Sequence, residues 1–184
     1  MAQMNAFVEV YQLDEWYEII NAGALLSQHS DLSGCLFGVD NTAGFRPLFA
    51  NRGMPDDLSV NLAERFGSIQ EHTFGASWVT AEELTAIHWD EPAERRDERV
   101  HELRVSSMGE QLVTKWLNKP GHEDIRAALE SVEEVRREDR VFRRPIIRRR
   151  DALDGTEFTT VLKLMSVLTD RYGVGASRLV VYFD

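Results

Sequence analysis

Residues Arg178–Phe183, with the sequence RLVVYF, are the stretch that decides the fold. Their valines, tyrosine and phenylalanine favour extended structure, and a short apolar run of this length is typical of a buried strand. Residues Ala6–Leu13 (AFVEVYQL), near the other end of the sequence, alternate well enough to predict a second strand. We predict that both strands lie in one sheet, which joins the N-terminal and C-terminal segments.

Further strands are predicted next to these two and in the middle of the chain. Trp16–Ile20 is a short apolar stretch after two acidic residues, so it is predicted to form a hairpin with the first strand. Ala76–Val79 and His101–Ser106 also have the composition of strands. Gln111–Leu117 fits either a strand or a helix, and its periodicity does not decide between them.

Five segments are predicted as helices from cap residues or from apolar residues at helical spacing: Ser30–Phe37, Ser59–Phe66, Ala81–Ile87, Glu123–Asp139 and Thr156–Tyr172. The third has the strongest local signal, because Thr80 and Glu83 have the spacing of a capping box. The predicted fold class is therefore α+β. An antiparallel or mixed sheet joins the N- and C-terminal strands, and the helices pack on one face of it.

The length and composition restrict the class of protein. A chain of 184 residues suits one domain. We predict a single globular domain over residues 1–184, with residues 91–150 as a candidate helical and basic insertion. A hydrophobic content of 43% is too high for a disordered chain, and the apolar runs are far shorter than the roughly 20 residues of a membrane span. No membrane partner is therefore expected.

Cysteine usage and the first residues indicate the compartment. The single cysteine, Cys35, excludes an internal disulfide scaffold and is expected to be an inert core thiol. The first residues do not form a basic-then-apolar leader, so we expect a cytoplasmic protein. No Cys/His cluster has the spacing of a metal site, and we predict neither a metal nor a cofactor.

The charge is acidic in total but basic in one segment. A net charge of -10 argues against general nucleic-acid binding, which depends on neutralising phosphates. The basic segment Arg136–Arg150 nevertheless contains eight arginines and only two acidic residues. Within it Arg143, Arg144 and Arg148 are candidates for binding a phosphate-bearing ligand or an acidic partner. The alternative is that the segment pairs with the surplus carboxylates of the chain itself.

No catalytic set can be recognised in the sequence. No serine lies in a Gly-x-Ser-x-Gly motif, and a triad cannot be inferred from His72 and Ser77, which are five residues apart with a glycine between them. His72 is the candidate general base if the protein is an enzyme, with Asp40 or Glu71 to orient it. The lack of a recognisable nucleophile favours binding without turnover.

The loop Gly44–Asp56 (GFRPLFANRGMPD) is the densest candidate ligand site. Its arginines are suited to a phosphate and its phenylalanines to stacking on a base, with an asparagine for directed hydrogen bonds: Phe45, Arg46, Phe49, Asn51 and Arg52. The alternative is that the phenylalanines are core residues and that Arg52 pairs with a nearby aspartate.

Several spaced strings resemble a group of uncharacterised bacteriophage and actinobacterial proteins. They are Leu36–Asn41, Arg52–Ser59, His72 with Ser77–Leu84, Trp89-Asp90, and Arg178–Asp184. Members of that family typically begin Met-Gly-Cys-Asp-Ile-His, whereas this chain has Gln3 and Asn5 where the family has aspartate and histidine. The resemblance implies a shared pocket near the terminal strands, lined by Asn41, Arg52, His72, Ser77 and Trp78.

Three functional hypotheses follow from these residues. The first is a phage-type accessory protein that binds and sequesters an anionic nucleotide-like small molecule, such as a host immune signal; the setting is implied by the resemblance. The second is a phosphodiesterase-like hydrolase of such a nucleotide that uses His72. The third is a non-catalytic protein-interaction module that uses the acidic surface and the helix Glu123–Asp139. A homo-oligomer is expected from the amphipathic helix Thr156–Tyr172 and the aromatic residues.

Overall fold

A computed structural model describes residues 2–26 and 29–184. The strands of these residues are β1 (Met4–Gln12), β2 (Glu15–Asn21), β3 (Phe74–Thr80), β4 (Val100–Ser106), β5 (Gly109–Trp116), β6 (Glu134–Arg137), β7 (Arg140–Arg143) and β8 (Ser177–Phe183). The helices are α1 (Gly23–Leu26), α2 (Ser30–Phe37), α3 (Val60–Ile69), α4 (Ala81–Thr85), α5 (Glu123–Ala128) and α6 (Phe158–Tyr172). Short 3-10 helices form at Gln70–His72 and Arg149–Leu153. The α+β class is confirmed.

The first sheet joins the two terminal strands, as predicted. Its strand order is β2-β1-β8-β3, and every neighbouring pair is antiparallel. All seven residues of β8 are buried, because β8 is central and both of its faces are covered. Leu179 and Val181 pack into a core on one face, whereas Val180 and Tyr182 pack into a second core on the other.

The predicted hairpin of β1 and β2 is present. Gln12 pairs with Glu15, so that only Leu13 and Asp14 form the turn. Both turn residues have positive φ, 52° and 64°. This is the conformation of a two-residue type I′ turn, whose twist matches that of the two strands.

Helices cover both faces of the first sheet, which corrects the prediction that they pack on one. The helices α2, α4 and α6 contribute to the larger core, for example through Leu36, Leu84 and Met165. On the opposite face α3 inserts Leu62 against Phe7. A second cover is needed because the apolar side chains of β1 and β8 point to both faces.

Residues 91–150 contain a second sheet, between Val100 and Arg143, and the short helix α5, so the segment is not mainly helical as the sequence predicts. Its strand order is β5-β4-β7-β6, and α5 packs on it around a small core that includes Trp116, Ile125 and Phe142. The prediction of a single helix over Glu123–Asp139 is wrong beyond Ala128. The helix α5 ends at that residue, and the strand β6 begins at Glu134. Gln111–Leu117, which the sequence left open between a strand and a helix, lies mainly in β5.

A buried ionic cluster connects α2 with the second sheet. Asp97 is fully buried and accepts hydrogen bonds from Arg99, at 2.9 and 2.7 Å, and its Oδ2 lies 2.9 Å from His101 Nε2. Asp31 of α2 accepts from Arg99 at 2.5 Å and from Lys115 at 2.9 Å. Charges removed from water require partners of this kind.

The capping box of α4 is confirmed. Thr80 Oγ1 accepts a hydrogen bond from the backbone N–H of Glu83, and the carboxylate of Glu83 accepts one from the backbone N–H of Thr80. Both bonds satisfy backbone groups at the helix start. Among the described residues, no helix has the length and apolar character needed to cross a bilayer.

Candidate functional site

A recess of about 690 Å³ opens at one end of the first sheet, next to the core that α3 covers. Its lining includes two tryptophans, two arginines and two aspartates: Trp16, Trp78, Arg52, Arg178, Asp56 and Asp57. We call it the tryptophan recess. Pockets for small ligands typically measure roughly 300–1,000 Å³ and combine apolar faces with a few polar groups. The tryptophan recess resembles them in volume and in the residues that line it.

Strand directions bring these distant residues together. Arg178 is near the start of β8, and it pairs with Thr80 near the end of β3 because the two strands are antiparallel. On its other side β8 pairs with β1, so that Arg178 opposes Glu9. Trp16 enters from the start of β2, and residues 52–57 close the recess as a loop.

Arg178 forms a buried ion pair at the recess. Its Nε and Nη2 both lie 2.8 Å from Oε2 of Glu9, whose side chain is fully buried. Asp57 accepts a second hydrogen bond from Arg178, at 2.6 Å, and one from the indole N–H of Trp16, at 2.9 Å. The guanidinium carbon lies 3.7 Å from the ring centroid of Trp16, a cation–π contact. Arg178 therefore fixes the Trp16 ring.

Hydrogen bonds determine the ionisation of Asp57. Partial burial acts to raise the pKa of this carboxyl group. The hydrogen bonds from Arg178 and Trp16 act in the opposite direction, and their effect on the pKa outweighs that of burial. The net effect is a pKa below the ordinary value. Asp57 is therefore a carboxylate at neutral pH, and both of its oxygens are occupied by partners within the protein.

The guanidinium of Arg52 uses only some of its N–H donors in hydrogen bonds within the protein. It lies over the rings of Phe49, at 4.8 Å, and Trp78, at 5.4 Å. Its Nη1 donates to Glu83 and to the carbonyl oxygen of Trp78, and its Nη2 donates to Glu83. The hydrogen bonds from Arg52 lower the pKa of Glu83 below its usual value. The Nε–H and the second Nη2–H of Arg52 have no partner among the described residues.

The two phenylalanines predicted to stack on a base are core residues. Phe45 is 3% exposed and Phe49 is 8% exposed, and both belong to the larger core. A planar ligand therefore cannot reach their faces. Asn41, predicted to bond the ligand, instead donates to and accepts from the backbone of Phe45. Ser77 donates to the backbone carbonyl of Phe49. These residues hold the loop in place.

Three other predicted residues do not line the tryptophan recess. Arg46 bonds Glu91 at 3.3 Å from an exposed position. Asn51 is an exposed turn residue with a φ of 57°. His72 is exposed, and it makes no hydrogen bond to Asp40 or Glu71. Of the residues predicted as ligand-binding, the recess contains Arg52 and Trp78.

The basic segment is paired with the chain's own acids. Arg143 donates to Glu110 at 2.6 Å and Arg144 donates to Glu130 at 2.9 Å. Arg148 donates to a backbone carbonyl oxygen at 2.7 Å. The other five arginines of the segment each bond a carboxylate. The alternative interpretation, internal charge pairing, therefore describes this segment.

The sequence interpretation missed Trp16, Arg178 and the two aspartates as recess residues. A signal for part of the site was present, because Glu9 and Arg178 are charged residues inside apolar strand segments. When two such strands lie in one sheet, their buried charged residues are expected to form an ion pair, because a buried charge needs a partner of opposite charge. The position of Trp16 over that pair depends on the register of the hairpin.

Within residues 2–26 and 29–184, no group of three or more His, Cys, Asp or Glu side chains has an arrangement that could hold a metal ion. The thiol of Cys35 is buried, and burial raises its pKa despite a contact with Arg149. Comparison of the chain with models of protein families, with curated proteins and with solved structures found no match. The binding chemistry proposed below therefore rests on the residues of the tryptophan recess.

Proposed function

We propose that the protein binds a small, anionic, nucleotide-like molecule in the tryptophan recess and holds it without turnover. The observation that carries this proposal is the open donor edge of Arg52 beside the indole of Trp78 in one recess. The first hydrogen-bonding edge of this guanidinium is occupied by Glu83, which fixes its plane. The second edge is oriented and unused, as a binding site for an oxyanion requires.

The chemistry of the recess suits the two halves of a nucleotide. A phosphate oxygen can accept from Nε–H and Nη2–H of Arg52 in a charge-assisted pair. A base can stack on an indole, a contact worth about 1–3 kcal/mol per base. Arg178 does not serve as a second phosphate ligand, because Glu9 and Asp57 occupy it. Its role is to hold Trp16 in place.

The biological setting is part of the proposal. The resemblance to bacteriophage proteins supports an accessory protein in the cytoplasm of a bacterial host, where it would sequester a nucleotide signal of the host's immune defence. Sequestration needs a preformed recess and no catalytic group. The internal pairing of the basic segment is in keeping with a ligand far smaller than a nucleic acid.

Isothermal titration against cyclic and linear nucleotides tests the proposal. The substitution Arg52→Gln removes the oxyanion edge, and we expect it to weaken binding at least about tenfold, since a hydrogen bond to a charged group contributes about 1.5–3 kcal/mol. The matched control is Arg46→Gln, which removes an exposed arginine outside the recess and should leave the affinity unchanged. Equal losses in both variants, or no heat with any nucleotide, would refute the proposal.

Recovery of the ligand separates binding from hydrolysis. After incubation and denaturation, an intact nucleotide agrees with sequestration. Fragments that disappear with His72→Ala would establish the hydrolase instead. The structure lends that alternative no support, because neither carboxylate expected to orient His72 bonds to it.

The interaction-module hypothesis loses its main element. It relied on a continuous helix over Glu123–Asp139, and α5 ends at Ala128. The helix α6, which suggested a homo-oligomer, places Phe158, Val161 and Met165 inside the protein's own core. Self-association remains a prediction that needs a measurement of mass in solution.

A further inference from the structure

We infer that the tryptophan recess selects guanine nucleotides, with Asp56 as the residue that accepts hydrogen bonds from the base. This inference rests on the proposed binding function and adds the identity of the base to it. It follows from the groups of the recess that have no partner.

The four ionised side chains of the recess differ in how far their hydrogen-bonding capacity is used. Arg178 and Asp57 bond each other at 2.6 Å, and Trp16 occupies the second oxygen of Asp57. Arg52 has one open donor edge. Asp56 is exposed and has no hydrogen bond or ion pair among the described residues. The recess thus presents one unused carboxylate and one unused guanidinium edge.

These two groups do not neutralise each other. No ion pair within 4.0 Å joins Arg52 to Asp56, although both line the same recess. A ligand that satisfies both must be anionic at one end and must carry hydrogen-bond donors at the other. The indoles of Trp16 and Trp78, which line the same recess, suit a flat ring as the middle part of that ligand. An anion without such donors would leave Asp56 as an unfavourable neighbour.

The edge of the base that fits a carboxylate is specific. An ionised carboxylate only accepts hydrogen bonds, and it offers two adjacent oxygens. Guanine presents two adjacent donors, N1–H and the 2-amino group, on its Watson–Crick edge. Adenine and cytosine each present a donor beside a ring-nitrogen acceptor, which would face the negative charge, and uracil presents one donor between two carbonyl acceptors. Guanine therefore matches Asp56 best.

The same reasoning predicts the effect of an amide at this position. The side chain introduced by Asp56→Asn places a carbonyl oxygen acceptor beside an amino group, which complement the donor and the acceptor on the Watson–Crick edge of adenine. Asparagine is also the side chain that pairs with adenine in the grooves of DNA. The substitution should therefore transfer the preference from guanine to adenine without removing the Arg52 or indole contacts.

Isothermal titration with GMP, IMP and AMP tests the inference on the full chain. We expect GMP to bind about tenfold more tightly than AMP, as one bidentate pair allows, with IMP between them because it lacks the 2-amino group. In Asp56→Asn the ratio should fall to one or below. The matched control is Asp170→Asn, an exposed residue of α6 outside the recess, and it should keep the wild-type ratio.

The outcomes separate this inference from the function on which it rests. If GMP and AMP bind equally to the wild type, or if Asp56→Asn weakens both by the same factor, the role of Asp56 is refuted and the binding function stands. If Asp170→Asn shifts the ratio as much as Asp56→Asn, the effect is one of total charge and the inference also fails. If none of the three nucleotides binds, the inference fails; the proposed function fails with it only if cyclic nucleotides do not bind either.

Discussion

Arg178 is a charged residue in a strand that is otherwise apolar, and it is 3% exposed. Such a residue is stable inside a protein only when it is paired and hydrogen-bonded. Glu9 meets this requirement from the opposing position of β1, and the second oxygen of Glu9 accepts from the backbone N–H of Ser59 at 2.9 Å. One ion pair thus connects β1, β8 and the start of α3, and it supports Trp16 above it.

At this scale we predict that Glu9→Gln lowers the free energy of unfolding by about 3 kcal/mol. The substitution leaves a buried guanidinium without its main anion, a loss that typically costs about 3–5 kcal/mol, and Asp57 compensates in part. Denaturant-induced unfolding measures the change. The control Glu18→Gln breaks an ion pair with Arg65, whose side chain is more exposed than that of Arg178. This substitution should lower the free energy of unfolding by less than about 1 kcal/mol. Similar losses in both variants would contradict the account.

At the scale of elements, local signals predicted most of the first sheet and its helices. The apolar run of β8, the hairpin and the capping box at Thr80 each depend on neighbouring residues, and each is present. The prediction of one face for the helices was wrong, because the pattern of a strand buried on both sides does not show what covers each side.

The segment Glu123–Asp139 shows where local pattern is overruled. Ile125 and Leu129 have helical spacing, and both lie in the core of the second sheet. Beyond them Val135 pairs with Phe142 of β7, and Arg136 pairs with Val141. Pairing of β6 with β7 therefore outweighs the helix propensity of Glu134, Arg136 and Arg137, because propensity contributes little per residue and tertiary contacts override it. The spacing of apolar residues within Glu123–Asp139 does not show that part of this segment pairs with another strand.

At the scale of the whole molecule, the tryptophan recess could not be predicted from any one stretch. Its residues come from β2, from a loop, from β3 and from β8. Arg52 and Trp78 were found because they stand in noticeable motifs. Trp16 and Asp57 were missed because both contact Arg178, which is brought to them by the pairing of β8 with strands distant in the sequence.

Charge is also organised at this scale. Burial acts to raise the pKa of Asp97, but hydrogen bonds from His101 and Arg99 lower it well below its ordinary value. A hydrogen bond from Arg149 lowers the pKa of Glu91. A carboxyl group whose pKa is lower in the folded state binds fewer protons there than in the unfolded chain. It therefore stabilises the fold above its unfolded pKa, and this contribution is lost as pH falls.

We predict that thermal stability is nearly constant between about pH 7 and 5 and falls steeply below about pH 4, where the unfolded carboxyl groups begin to take up protons. Calorimetry across this range measures the melting temperature. Asp97→Asn should be less stable at pH 7 and should show a shallower fall in acid. Asp170→Asn, as the control, should follow the wild type. A melting temperature that rises toward pH 3 would contradict the assignment of these pairs.

The most direct test of the central claim is an NMR titration that observes the indole N–H groups. The four tryptophans are Trp16, Trp78, Trp89 and Trp116, and only the first two line the recess. On addition of GMP, the account predicts shifts of the Trp16 and Trp78 signals that saturate together, while those of Trp89 and Trp116 stay in place. Shifts confined to Trp89 or Trp116, or no shift at saturating nucleotide, would contradict it.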